Sequence, residues 1–171
     1  MPDVRIRSLA GAEEAAACAR MMSRSEPWLT IGRGYDACLP ALTDPTREVY
    51  VAVQDGRILG FIVLLLSGAF VGYIQTVCVV PDARGTGLGT QLLQFAEQRI
   101  SEVSPNVFLC VSSFNPKARA LYERLGYQLV GELTDYLIRG HSELLYRKTT
   151  GPLMEFTAPA AETLPPPRAR Q

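Results

Sequence analysis

The sequence predicts a mixed α/β domain, and three observations carry that expectation. Its segments alternate as β-α-α-β-β-β-α-β-α-β-β, which is not the regular βαβ repeat of a doubly wound sheet. Two pairs of strand-like segments are separated by short turns, so hairpins join them. One apolar strand runs through a glycine-rich turn directly into a helix. The reading gives seven strands, mostly antiparallel, flanked by four helices.

Residues 4–9, "VRIRSL", alternate with Val4, Ile6 and Ser8 on one side and read as a first strand. "GAEEAAACARMMS" (11–23) is alanine-rich with acids in its first turn, which suits a helix. "SEPWLTIGRGYDACLPAL" is broken by Pro27, Gly32, Gly34 and Pro40, so a loop with a short helix over 35–41 is expected. Residues 47–66 form a hairpin, with Val49, Val51 and Val53 alternating before an Asp55-Gly56 turn. "FVGYIQTVCVV" is apolar on both sides and therefore reads as a central strand. The helix after the glycine turn spans 87–100, with Leu88, Leu92 and Ile100 on one face. "NVFLCVSS" is a strand. Asn115 caps the next helix, Pro116 occupies its first turn and Gly126 stops it. "YQLVGELTDYLIRGHSELLYRK" closes the domain as a last hairpin. Residues 1–150 are thus one domain, and 151–171, with five of the chain's twelve prolines and no periodicity, read as a flexible tail.

Composition narrows the function. With 171 residues and 47% hydrophobic content, one sizeable core is affordable. Seventeen basic residues balance seventeen acidic ones, which gives no argument for nucleic acid or an anionic membrane. The apolar runs "FIVLLL" and "VCVV" are too short to span a bilayer. Cys18, Cys38, Cys78 and Cys110 are scattered and His141 is the only histidine, so no metal site is expected. The expectation is a cytoplasmic protein, monomeric or homodimeric.

The stretch Arg84-Gly85-Thr86-Gly87-Leu88-Gly89 places a glycine turn at a helix start, where free N–H groups and the helix dipole favour an anion. Arg84 adds a full positive charge. A P-loop requires a Gly-Lys pair, which is absent from the chain. A dinucleotide fold requires G-x-G-x-x-G opening a βαβ unit, whereas here the spacing is G-x-G-x-G after four strands. Arg84-x-x-Gly87-x-Gly89 resembles instead the pyrophosphate loop of the GCN5-related N-acetyltransferases (GNAT family). "NPKARALYERLGY" is similar to a second block of that family, matched at Asn115, Ala118, Tyr122, Gly126 and Tyr127. The resemblance covers residues 4–148.

That resemblance implies a V-shaped gap between the fourth and fifth strands that takes acetyl-CoA as acetyl donor. It implies that backbone groups of Val77, Cys78 and Val79 hold the pantetheine arm, that Arg84, Gly85, Thr86, Gly87, Leu88, Gly89 and Thr90 hold the pyrophosphate, and that Asn115 contacts the arm. Read without it, Asn115 is a helix cap and Tyr122 a core residue. The reaction implied is direct attack of a primary amine, of a small molecule or a peptide, on the thioester through a tetrahedral intermediate. Tyr122 is the acid by family position. Carboxylates that serve as base in some members are replaced here by Tyr73 and Cys110, and Tyr73, His141, Glu143 and water all stay open as proton acceptors. Trp28, Tyr73, Gln75, Tyr136 and His141 are the acceptor-side candidates. The missing carboxylates also motivate an alternative, a non-catalytic acyl-CoA sensor.

Overall fold

The computed structural model describes residues 4–159. Eleven principal elements follow one another: β1 (Arg5–Ser8), α1 (Gly11–Ser23), α2 (Tyr35–Thr43), β2 (Arg47–Gln54), β3 (Arg57–Leu65), β4 (Tyr73–Val79), α3 (Leu88–Ser101), β5 (Asn106–Ser112), α4 (Pro116–Arg124), β6 (Gln128–Thr134) and β7 (Ser142–Thr149). The seven strands form one sheet in the order β1-β2-β3-β4-β5-β7-β6. Every neighbouring pair is antiparallel except β4 with β5. The chain is thus the mixed α/β domain its segment order predicts, with the fourth strand central.

Asp55 and Gly56 both take positive φ, the geometry of a tight hairpin turn between β2 and β3. Pro40, read as a breaker, lies inside α2, which continues to Thr43. Proline costs one N–H bond there, and the buried Cys38, Ala41 and Leu42 hold the turn against the sheet. Of the tail, residues 151–159 contain one 3-10 turn at Leu153–Glu155. The expectation of flexibility falls in its remaining part on residues 160–171, outside the described residues.

Each face of the sheet carries its own core. On one side, α3 and α4 bury Leu92, Leu93, Ile100 and Tyr122 against Ile62, Leu109 and Tyr146. On the other, α1, α2 and the segment between them bury Cys18, Met22, Trp28 and Cys38 against Val51, Phe61 and Cys78. A fully buried Leu or Ile contributes about 1.5–3 kcal/mol, so both layers add to stability.

Two irregularities of β4 position the site. In its pairing with β3, Thr76 faces Val63 and Ile74 faces Leu64, which leaves Gln75 without a partner as a β-bulge. The bulge inverts the alternation of side chains. Ile74 faces α3 and α4, as do Val77 and Val79, while Cys78 turns to the α1–α2 core. The parallel seam with β5 is closed at one end, where Phe108 N donates to Gly72 O at 2.9 Å. It contains the pairs Tyr73–Phe108 and Ile74–Leu109 and no more. Beyond them the strands part.

Candidate active site

Where β4 and β5 separate, a cleft of about 710 Å³ opens through the sheet. Its walls come from the β4 bulge, the end of β5, the start of α4, the segment between α1 and α2, and the β6–β7 connection. Val77, Asn115 and Tyr122 line it, as do Trp28, Tyr73, Gln75 and Tyr136. His141 does not: it is exposed and packs edge-on against Phe114, with ring centroids 4.9 Å apart. Its nomination on the acceptor side has no support from this placement.

The glycine turn lies at the N-terminus of α3, beside the parting strands. Gly85 and Gly87 both have positive φ, 78° and 92°, which glycine adopts without steric cost. Gly87 is the N-cap, and no side chain caps the helix. The N–H groups from Gly85 to Thr90 meet no acceptor among the described residues. No heavy atom lies within 4 Å of the place where a Cβ on Gly85 or Gly87 would sit. A row of free donors above open space is what an anion requires. Thr86 Oγ1 donates to Ala83 O at 2.8 Å and shapes the turn from within. Leu88 is buried at 3% exposure, so only its backbone is available to a ligand. The Arg84 guanidinium is already tied, with Nε on Val79 O at 3.0 Å and a terminal nitrogen on Ser25 Oγ at 3.3 Å.

Asn115 fills the structural role read for it. Its side-chain oxygen accepts from Ala118 N at 3.3 Å, while the residue also lines the cleft. Tyr122 is 9% exposed and stacks edge-on with Tyr127, centroids 5.9 Å apart. Burial alone pushes its phenol up to about 12. It therefore keeps its proton at neutral pH. Trp28, 8% exposed, both plugs the α1–α2 core and presents to the cleft.

Burial, with Cys110 beside it, raises the Tyr73 phenol well above the ordinary range, so it is protonated at neutral pH. Burial likewise holds the Cys78 thiol at about 11 and the Cys18 thiol at about 12, so neither supplies a thiolate nucleophile at neutral pH. Glu143 behaves differently. At 6% exposure it lines the cleft, its Oε1 accepts from Ser112 Oγ at 2.5 Å, and burial raises its carboxyl above the usual range. The Ser112–Glu143 pair is the part of the site that motif reading could not assemble. Its one sequence signal is an acid next to Leu144 in the apolar half of the last strand.

Among the described residues no group of three or more His, Cys, Asp or Glu side chains could hold a metal ion. No helix among them is long and apolar enough to cross a membrane.

Comparison with known proteins agrees with this geometry. The family model described as "Acetyltransferase (GNAT) family" matches residues 12–127. An N-alpha-acetyltransferase of Sulfurisphaera tokodaii is 29% identical over 109 residues, 56% of this chain and 65% of that protein. The chain therefore spans just under two thirds of that relative's length. A GNAT-family structure from Desulfovibrio desulfuricans superposes with a TM-score of 0.73 at 18% identity, covering 87% of this chain and all of the other. An aminoglycoside 6'-N-acetyltransferase solved with coenzyme A gives a TM-score of 0.70 at 16% identity, over 86% of this chain and 98% of its own.

Proposed function

Since the chain belongs to the GNAT family of acetyltransferases, we propose that it transfers an acetyl group from acetyl-CoA to a primary amine by direct attack. The observation that carries this reading is the parting of β4 and β5 after Ile74–Leu109, with free donors at the start of α3 on one side and Tyr122 in the gap. Acetyl-CoA, as cosubstrate, supplies the activated thioester.

The residues fit that donor. Six consecutive N–H groups, Gly85 to Thr90, match a pyrophosphate, and the helix dipole adds to them. The edge of β4 past the bulge, Thr76 to Val79, has no β5 partner and can receive an amide-bearing arm as a strand would. A backbone N–H on that edge is the donor for the developing oxyanion. The Tyr122 phenol holds its proton for the departing sulfur. With cysteine thiols raised by burial, attack by the amine itself needs no acyl-enzyme.

Release of CoA thiol in the presence of an amine panel tests the proposal. Tight acetyl-CoA binding without thiol release from any amine, across pH 6–9, would favour a non-catalytic sensor instead.

A further inference from the structure

The acceptor side of the cleft holds hydrogen-bond acceptors that nothing in the protein satisfies. Gln75 Oε1 is buried without a partner. Glu143 has one oxygen on Ser112 Oγ, while Oε2 has no partner among the described residues. Three charged residues line the cleft, Glu26, Arg33 and Glu143, so acids outnumber bases there. Arg33 Nε is held on Ala37 O at 3.1 Å and Glu26 accepts from Thr30 N at 3.2 Å. Neither forms an ion pair with Glu143. The wall also carries large apolar and aromatic side chains, including Trp28, Phe70, Leu133 and Tyr136.

Position along the strands adds a second, independent argument. Leu144 and Tyr146 of β7 face the α3–α4 core with Tyr122, so Glu143, which alternates with them, faces the α1–α2 side. Ser112 is its partner in the β5–β7 register. The phenol and the carboxylate thus flank the parted strands from opposite faces of the sheet.

We infer that Glu143 is the proton acceptor for a substrate amine that enters as its ammonium, on an apolar or aromatic body, from the α1–α2 face. The inference rests on the acetyltransferase reading above. Glu143 takes one proton from the ammonium, and the freed nitrogen lone pair forms the N–C bond to the acetyl carbon. The C–S bond breaks, and the sulfur takes a proton from Tyr122. The nitrogen's second proton returns to the phenol through water, and Glu143 releases its own proton to bulk, so one ammonium and one thioester give one amide, one thiol and one proton. The groups around the carboxylate are consistent with that task. Tyr73 from β4 and Cys110 from β5 stay neutral at pH 7, and Leu133 of β6 opposes Glu143 in register. Arg33, the one cation lining the cleft among the described residues, is held on Ala37 O and forms no ion pair with Glu143. The raised carboxyl follows from this setting and makes it a better base than an exposed glutamate.

The experiment uses a tripeptide with a free serine N-terminus, lysine amide, spermidine and tryptamine as acceptors, with CoA release followed from pH 6 to 10. Glu143→Gln keeps an oxygen for Ser112 and should fold. Its kcat/KM should fall about 10²–10⁴-fold at pH 7 with acetyl-CoA affinity unchanged, and the deficit should narrow near pH 10, where the amine is neutral unaided. Ser112→Ala keeps the carboxylate but removes a bond that lowers its pKa. The acid limb of its rate profile should move to higher pH. A Glu143→Gln enzyme within threefold of wild type, a deficit equal at every pH, or an unmoved limb in Ser112→Ala would overturn the assignment while leaving the acetyltransferase reading standing. No thiol release by the wild type with any of the four would overturn both.

Discussion

Ile74 of β4 lies beside Leu109 of β5 in parallel register, and that pair is the last the two strands share. On its far side β4 stays paired with β3 as far as Val79. One edge of the strand is therefore saturated and the other is open over the same residues. Amides on the open edge between Thr76 and Val79 should exchange with solvent faster than those facing β3. Addition of acetyl-CoA should slow them, as a new strand partner would. Hydrogen exchange followed residue by residue checks this, and unchanged rates at saturating cofactor would remove β4 from the cofactor site.

Tyr122→Phe keeps the ring against Tyr127 and loses only the proton. Because that ring contact is kept, the melting temperature should change little. Turnover should drop by about 10²–10⁴-fold, the usual contribution of general acid catalysis. A rate within threefold of wild type, with chemistry shown to be rate-limiting, would make Tyr122 a core residue and water the acid.

Two glycines at positive φ separate packing from ligand binding. At Gly72 a Cβ would lie 2.3 Å from Asn106 O, a backbone atom of the neighbouring strand, so Gly72→Ala forces the closed end of the seam apart. At Gly87 nothing lies within 4 Å, and alanine bears only the left-handed backbone, about 1–2 kcal/mol. Gly72→Ala should lower the melting temperature much the more. Gly87→Ala should stay folded and lose acetyl-CoA affinity, because the added methyl points into space the phosphates need. Equal affinity in folded Gly87→Ala would sink the loop assignment.

Glu143→Gln carries a prediction for stability as well as rate. A carboxyl raised by burial is worse off charged in the folded chain, so its contribution is intact below the unfolded value and is lost as pH rises through the folded one. The glutamine variant never bears that charge. It should melt higher than wild type at pH 7, and the difference should shrink as pH falls below about 4.5. Calorimetry at the two pH values measures it, and a variant that melts lower at pH 7 would contradict the sign.

Much of this was legible beforehand. Caps, turns and periodicity located all eleven elements, because Asp55-Gly56, Asn115-Pro116 and Gly126 each state a local conformation in a residue type. The glycine turn was legible for the same reason. The bulge was not: "YIQTVCV" is apolar enough on both sides that inserting a residue leaves no break in its pattern. Nor was the Ser112–Glu143 pair, two residues 31 apart in sequence that meet only through strand register, and register is a tertiary property. His141, a lone histidine in a turn near the site, attracts an acceptor-side role from the sequence, and in the structure its ring packs edge-on against Phe114.

The parted seam makes the sheet a partition with a slot in it. The free donors of α3 belong to one compartment, and the aromatic wall with Trp28 to the other. On the proposed reading, donor and acceptor have separate doorways and can arrive or depart in either order without blocking each other. A tethered inhibitor that joins an amine to the sulfur of CoA must be threaded through the slot rather than laid along a surface. Its bridge has only to be as long as the sheet is thick at that point, and lengthening it should weaken binding.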